Sequence, residues 1–368
     1  MRLVADENLV AAEAAFAGWG ELVRLPGRTI GRAEVAAADA LFVRSVTRVD
    51  AALLADSSVR FVGSATIGTD HVDTAWLQQQ GIGFAHAPGC NADAVADWVV
   101  AALAARAAAG RHRLGAGTAG IIGLGNVGRR VARRLAALGY AVRACDPPRA
   151  EHEGETGFVD FATALASDVV SLHVPLTTQG RHATRHLVDA AALAQVPTGA
   201  ILLNAARGGV VDEHALATRL DGGPDLQALV DTWTGEPAID IDLLTRTALA
   251  TPHIAGYSLE GRLRGTARVA HAAARYFNRA CRFDWREHLP APPPALSPGA
   301  LVATILAAYD PRIDDRALRA LARLDHAERG PAFDALRRAY PVRREFASWP
   351  CAAARPDLAA AGFAGAAQ

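Results

Sequence analysis

The amino-acid sequence predicts an α/β protein of two doubly wound parallel sheets followed by a small C-terminal α+β unit. Three observations carry this reading. Short apolar runs alternate with longer helical patterns through the first 285 residues. The alternation restarts once, after a long alanine-rich helical stretch. A proline-rich segment, 289–299, then closes it. Buried runs separated by helices imply parallel strands covered on both faces.

In chain order, Leu3-Val4-Ala5, Ala40-Leu41-Phe42-Val43, Phe61-Val62-Gly63 and Ile82-Gly83-Phe84 read as four buried strands. Helical patterns lie between them, among them 50–55 and 74–80. A long helix follows over about 91–110, interrupted by Asp93, Asp97 and Arg106 and so unlike a membrane span. Residues 111–118 are turn-rich. Ala119-Gly120-Ile121-Ile122-Gly123 then opens a second series, with a helix over 126–138 and further strands at 141–145, 169–173, 200–204 and 227–230. Both series read as Rossmann- or flavodoxin-like. The prolines of 289–299 exclude a helix or central strand and make a stiff linker. Beyond it the pattern is mostly helical.

Lys+Arg is 38 and Asp+Glu is 38, and none of the cations is lysine. Without lysine there is no phosphate-binding Walker loop, no Schiff-base chemistry and no kinase-type strand lysine. A neutral chain without basic runs is a poor nucleic-acid binder. Cys90, Cys145, Cys281 and Cys351 are scattered, without metal-ligand spacing, so no metal is expected and the thiols read as reduced. Asp6 and Glu7 stand where a signal peptide would be apolar, and a cytoplasmic location is expected.

Gly123-Leu124-Gly125-Asn126-Val127-Gly128 fits G-x-G-x-x-G, placed after an apolar strand and at the start of an amphipathic helix. Gly123 permits the tight turn, Gly125 a close approach of a pyrophosphate, and Gly128 helix-on-strand packing. The first N–H groups of the helix, at Asn126 and Val127, suit phosphate oxygens. Asp146, ending the next strand, can accept from ribose hydroxyls and would repel a 2′-phosphate. The cofactor expected is therefore NAD.

Three motifs follow later strands: Asn204-Ala205-Ala206-Arg207-Gly208-Gly209, Asp231-Thr232-Trp233-Thr234-Gly235-Glu236-Pro237, and Thr251-Pro252-His253-Ile254-Ala255-Gly256-Tyr257. Taken singly, Arg207, Glu236 and His253 are ordinary loop residues. Together they are what hydride chemistry on a hydroxy acid needs. Arginine holds a carboxylate by two parallel hydrogen bonds. Histidine accepts the hydroxyl proton. A carboxylate beside it orients the ring and stabilises the imidazolium. Arg44-Ser45, at another strand end, suits phosphate oxygens, unless Arg44 pairs with Asp6 or Glu7. The loop 66–68 offers N–H groups to an anion. His86, His112 and His271 sit in no constellation and read as structural or surface residues.

With these motifs the chain resembles the D-isomer-specific 2-hydroxyacid dehydrogenase superfamily, and within it the branch that oxidises 4-phospho-D-erythronate in vitamin B6 biosynthesis. The narrowing residues are Asp6-Glu7-Asn8, Val43-Arg44-Ser45-Val46-Thr47, Gly68-Thr69-Asp70-His71-Val72-Asp73, Ala87-Pro88-Gly89-Cys90-Asn91 and Cys145-Asp146-Pro147-Pro148-Arg149. To them add Pro252-His253-Ile254-Ala255-Gly256-Tyr257-Ser258-Leu259-Glu260-Gly261. The resemblance implies Arg207, Glu236 and His253 as catalytic residues, and Ser45, Thr66 and Tyr257 at substrate positions. It places Asp146, Asp231, Gly256 and the Ala205-Ala206 turn at cofactor positions. Val174 stands there too, where relatives often have threonine, so a side-chain hydroxyl contact is lost. It further implies a substrate-binding lid of residues 1–92 and 257–285, an NAD-binding domain of 93–256, and a C-terminal dimerisation domain of 286–368. The expected partners are a phosphorylated hydroxy acid and a second copy of the chain, with neither nucleic acid nor membrane. A related glycerate- or phosphoglycerate-type dehydrogenase, or an NADH-sensing corepressor, would carry much the same motifs.

Overall fold

The structure is a computed structural model and describes residues 1–223, 225–297, 299–351 and 355–364. Its contacts divide the chain into two compact units, Met1–Asn91 with Tyr257–Ala291, and Ala92–Gly256 with Pro292–Gln368.

The first unit holds strands β1 (Arg2–Asp6), β2 (Glu21–Leu25), β3 (Ala40–Val43), β4 (Phe61–Ser64) and β5 (Gly83–His86). All pair in parallel, in the order β2-β1-β3-β4-β5. Chain order reverses between β1 and β3, and in open α/β sheets such a reversal marks the ligand crevice at the strands' carboxyl ends. The expected four strands are five. The unforeseen β2 is an edge strand, exposed at Glu21 and Arg24, so it offers no apolar run to read. The other edge, β5, is half-buried where a buried strand was expected. Helix Leu259–Tyr276 packs on β4 and β5 and buries Leu263, Val269 and Ala270 with Phe42 and Phe61.

The second unit holds β6 (Thr118–Ile122), β7 (Ala141–Cys145), β8 (Val169–Leu172), β9 (Ala200–Asn204), β10 (Leu226–Val230) and β11 (Leu249–Ala250). This sheet is also parallel throughout, in the order β11-β10-β9-β8-β6-β7, with its switch point between β6 and β8. At two residues β11 is too short to announce itself in the sequence. Helix Ala92–Ala108 is buried along Ala94–Ala105 on every face. It can be so because helices Asn126–Leu138, Leu301–Ala308 and Pro311–Arg319 all pack against it. Its one buried acid, Asp97, pairs with Arg134 and accepts the N–H of Phe346 at 3.0 Å. None of the described helices is long and apolar enough to cross a membrane.

The C-terminal region corrects one expectation. It is helical, not α+β: helices Leu301–Ala308, Pro311–Arg319, His326–Arg338 and Pro356–Ala361 build it, and among the described residues its β-structure is one isolated bridge, Leu296 to Cys351. Its contacts group it with the second unit. Leu318, Leu321 and Phe333 join the same core cluster as Val170, Leu202 and Ala228 of the second sheet. Each such side chain contributes about 1.5–3 kcal/mol by burial, which favours docking of the segment on the second sheet. Pro298 of the linker lies outside the described residues.

Candidate active site

The glycine loop at the end of β6 separates glycines needed for packing from one that is not. Gly123 has φ +87°, and a Cβ there would come within 2.7 Å of the His173 carbonyl oxygen. At Gly128 a Cβ would lie 1.8 Å from the carbonyl oxygen of Gly123. Around Gly125, in contrast, nothing stands within 4 Å. Gly125 caps helix Asn126–Leu138 without a side-chain hydrogen bond, so the N–H groups of the first turn face open space. Such an end attracts phosphate oxygens. Asp146 follows β7 and is tied back to this loop: Oδ2 accepts the N–H of Leu124 at 2.7 Å, and Oδ1 that of Arg149 at 3.2 Å. Arg149 in turn faces Glu153 at 2.8 Å, which neutralises it beside Asp146. Val174, past the end of β8, lines Gly123 with its Cγ1. His173 before it pairs with Ser171 Oγ at 2.9 Å, and burial pulls its ring down to about 3, leaving it neutral. Glycine turn, open helix end and acid therefore meet at the β6/β8 switch point, as a dinucleotide requires.

Three turns leave β9, β10 and β11 at their carboxyl ends. In the first, Asn204 accepts the Ala206 N–H and donates to the Arg207 carbonyl, both at 3.1 Å, while Arg207 Nη1 donates to the Ala206 carbonyl at 2.8 Å. A Cβ at Gly208 would lie 2.0 Å from the Trp233 carbonyl oxygen, so the first turn rests directly on the second. The second carries Glu236, joined to Pro237 by a cis peptide, with Oε1 accepting the Trp233 N–H at 2.9 Å. The third carries His253, whose Nδ1 lies 2.8 Å from Glu236 Oε2 and 3.1 Å from Oε1. Burial pushes the Glu236 carboxyl up, but the His253 charge and hydrogen bond, with the Arg337 charge and the Trp233 N–H, outweigh it and hold it below the ordinary range. Nδ1–H is thus the donor to a carboxylate, and Nε2 is left as proton acceptor.

His253 has φ +54°, a left-handed conformation that costs a non-glycine residue about 1–3 kcal/mol. Asp231 offsets this. Its Oδ1 accepts from Thr251 Oγ1 at 2.6 Å and Ile254 N at 2.8 Å, and its Oδ2 from Ala255 N at 3.0 Å. The carboxylate is 1 % exposed and pushed up by burial. Asp231, expected at a cofactor position, directs its carboxylate into the His253 turn. Gly256, also expected there, directly follows that turn. Sequence reading passed over Glu213, whose Oε1 accepts the Thr234 N–H at 2.6 Å, next to the N–H that Glu236 takes. Burial, with the charges of Asp240 and Glu236, pushes Glu213 up to about 7. Standing first in helix Glu213–Asp221, it looks in sequence like an ordinary helix-start acid.

In the first unit, Arg44 and Ser45 follow β3 and Thr66 follows β4, at neighbouring strand ends. The Arg44 guanidinium lies over the Tyr257 ring, 5.0 Å from its centroid, and among the described residues it forms no ion pair with Asp6 or Glu7. Arg262, a residue not singled out in the sequence, completes the group. It donates to the Asn8 carbonyl at 3.2 Å, and its buried Nε has no partner among the described residues. Burial and the charge of Arg44 pull Arg262 down to about 10, against the pull of Tyr257 and Asp6. Two neighbouring cations, one poorly hydrated, form a spot that favours an anion. Only the fold brings Arg262 there; in sequence it is one arginine on a polar helix face. Thr66 Oγ1 lies 2.8 Å from Ser64 Oγ and donates to the Gly68 carbonyl at 3.2 Å. The N–H groups of Thr66, Ile67 and Gly68 have no acceptor among the described residues. His86, read as structural, donates from Nδ1 to the Ile67 carbonyl at 2.9 Å and steadies this loop.

Comparison with known proteins agrees with this geometry. Residues 91–255 match the family model "D-isomer specific 2-hydroxyacid dehydrogenase, NAD binding domain", and 296–360 match "Domain of unknown function (DUF3410)". Among solved structures, the TT0316 protein of Thermus thermophilus superposes with a TM-score of 0.65 at 28% identity, covering 77% of this chain and 99% of its own. An NAD-bound 3-phosphoglycerate dehydrogenase of Entamoeba histolytica has the same fold, with a TM-score of 0.65 at 24% identity over 76% of this chain and 95% of that one. NAD is the cofactor of this chain. The erythronate-4-phosphate dehydrogenase of Pseudomonas aeruginosa is 48% identical over 354 residues, 94% of this chain and 93% of the relative. That of Marinobacter nauticus is 47% identical over 361 residues, 95% and 94% of the two chains. With nearly half the residues shared along almost the whole of both chains, this chain belongs to the erythronate-4-phosphate dehydrogenase family.

Proposed function

We propose that the protein oxidises 4-phospho-D-erythronate at C2 to (R)-3-hydroxy-2-oxo-4-phosphooxybutanoate, using NAD, in the synthesis of pyridoxal 5′-phosphate. The observation that carries the chemistry is the Glu236–His253 pair at 2.8 Å, set at the end of adjacent strands beside the Arg207 turn.

The residues fit NAD: Gly123, Gly125, Asn126, Val127 and Gly128 would receive the pyrophosphate, Asp146 the ribose hydroxyls, and Val174, Ala205, Ala206 and Gly256 would line the rest. When bound, NAD supplies the acceptor for the hydrogen and electron pair that leave C2. His253 Nε2 takes the C2 hydroxyl proton. Glu236 stabilises the imidazolium that results and keeps Nδ1–H pointed at itself. Arg207 holds the substrate carboxylate, and its fork geometry fixes which face of C2 is presented. Arg44, Arg262 and Ser45, with the N–H groups of Thr66–Gly68 and the Tyr257 hydroxyl, are the groups we assign to the remaining oxygens, the phosphate above all. This assignment draws on Arg44 and Arg262, whose charges act on each other.

We further propose a homodimer in the cytoplasm. Supporting self-association, Ile313 and Val342 are 58% and 71% exposed, two of the three exposed large hydrophobics among the described residues. Supporting the compartment, all four cysteines are free.

The deciding experiment is NAD reduction by purified protein, followed as NADH absorbance, with 4-phosphoerythronate, 3-phosphoglycerate, glycerate and lactate in parallel. The phosphorylated four-carbon acid is expected to give the highest kcat/KM. Equal rates with unphosphorylated acids, or no NADH with any of them, would overturn the reading.

A further inference from the structure

The C-terminal region matches a family model that carries no function. In the structure it grips the chain on both sides of His253. Asp315 Oδ1 accepts the Ala250 N–H at 2.7 Å, on β11, three residues before the histidine. Arg319, ion-paired to Asp315 at 2.9 Å, donates at 2.8 Å to the Leu244 carbonyl, in the last turn of helix Ile241–Arg246, and to the carbonyl of Thr247, which leads from it into β11. Arg343 Nη2 donates to the Ala255 carbonyl, two residues after the histidine.

Arg343 is not a surface residue that happens to reach inward. It is 7% exposed, and its guanidinium lies over the Tyr309 ring, 4.5 Å from the centroid. The Tyr309 and Tyr340 hydroxyls donate to Asp314 Oδ2 at 2.8 Å and 3.1 Å, which fixes the platform on which the guanidinium rests. A charge taken out of water this far needs oriented partners; Nη2 has the Ala255 carbonyl, while the buried Nη1 has no hydrogen-bond partner among the described residues.

The turn it holds is strained. His253 is left-handed, and its peptide groups are pinned from within by Asp231, which takes the N–H groups of Ile254 and Ala255. That leaves the Ala255 carbonyl, at the far end of the same turn, and Arg343 takes it. The partner turn is touched as well. A Cβ on Gly330, in helix His326–Arg338, would lie 3.6 Å from the Pro237 ring, and the Arg337 charge acts on Glu236.

We infer that Arg343 is a positioning residue for His253, and that the C-terminal region serves the reaction by fixing the Glu236 and His253 turns, apart from any part in self-association. This rests on the proposed role of His253 as proton acceptor. Without the Arg343 donor, the left-handed turn relaxes and Nε2 shifts relative to the substrate hydroxyl. The glycine loop at the ends of β6 and β8 makes no hydrogen bond with Arg343 among the described residues, while Gly256, assigned to line NAD, adjoins the turn it holds, so cofactor affinity falls less than kcat.

The test compares full-length wild type, Arg343→Met and Arg343→Lys. It reads kcat on 4-phosphoerythronate, NADH affinity by fluorescence, and the pH titration of the His253 ring by NMR. Arg343→Met is expected to lower kcat about 10–100-fold, the range expected for a displacement of about 1 Å. NADH affinity falls less than kcat does, and the His253 titration curve moves. Arg343→Lys, which keeps a charged donor, recovers part of the loss. If Arg343→Met fails to fold, Asp315→Ala, which frees the Ala250 N–H, is read in the same way. Wild-type kcat and an unmoved His253 resonance in these variants, with only a lower melting temperature, would overturn the inference. Wild type inactive on the phosphorylated acid would defeat the proposed function, while the NMR comparison would still decide the role of Arg343.

Discussion

His253 Nδ1 stands 2.8 Å from Glu236 Oε2, although 17 residues of chain separate them. Each lies in a turn just past a strand, β10 for Glu236 and β11 for His253, and the two strands pair in parallel through Leu229–Leu249 and Val230–Ala250. The pairing register is what delivers the carboxylate to the ring. It also fixes the polarity of the pair, with Nδ1 facing the carboxylate and Nε2 on the other side of the ring.

His253→Ala should lower turnover by about 10²–10⁴-fold, the usual worth of a general base. Cofactor affinity should hold, because the glycine loop lies on other strands. Steady-state rates with 4-phosphoerythronate, together with NADH binding, check this. Turnover close to wild type would remove His253 from the mechanism.

Asp146→Ala should narrow the preference for NAD over NADP, since the carboxylate beside the loop repels a 2′-phosphate. The comparison is kcat/KM for the two cofactors in wild type and variant. A wild type that already uses both equally would refute the ribose assignment.

Arg262→Met should raise KM for the phosphorylated acid about 10-fold or more, as loss of a hydrogen bond to a charged group usually does. Its effect on unphosphorylated acids should be small. Equal loss on both kinds of substrate would place Arg262 in the frame of the first unit only.

Glu213 gives a pH prediction. Its carboxyl is raised from an ordinary 4.5 to about 7, so folding favours the protonated form. The stability it contributes is present below about pH 4.5 and fades as pH rises through about 7. Glu213→Gln keeps the acceptor for the Thr234 N–H and cannot ionise. Its melting temperature should therefore match wild type at pH 4.5 and exceed it at pH 8. Parallel pH profiles of the two melting curves would show that Glu213 is not buried in this way.

Ile313→Asp with Val342→Asp should convert the proposed homodimer to monomer, as measured by sedimentation velocity. Deleting the whole C-terminal region is a poorer test, because Leu318, Leu321 and Phe333 would leave a hole in the core of the second unit. A double variant that still sediments as a dimer would locate the interface elsewhere.

Much of the site was legible because its residues sit where strands end. Gly123-Leu124-Gly125-Asn126-Val127-Gly128 follows an apolar run that is β6, and helix Asn126–Leu138 begins and ends where its apolar spacing predicts. Arg207 follows β9 for the same reason. What escaped notice has no local signature. Edge strand β2 carries Glu21 and Arg24 because one side faces water. Two-residue β11 is set by pairing to β10, not by its own pattern. Glu213 and Arg262 look like helix-surface charges, and their meaning comes from the Thr234 N–H in one case and Arg44 in the other.

By itself the sequence determined the two parallel-sheet series, the dinucleotide loop and the placing of Arg207, Glu236 and His253 in turns that follow strands. Periodicity and turn chemistry act over a few residues, and these features are local in that sense. The tertiary structure alone decided three matters. Asp231 serves the His253 turn, Arg262 stands beside Arg44, and the C-terminal helices are part of the second unit's core and hold the Ala255 carbonyl through Arg343. Each depends on groups far apart in the chain meeting in a buried place. There a charge or an N–H must find its partner by packing, which no stretch of neighbouring residues encodes.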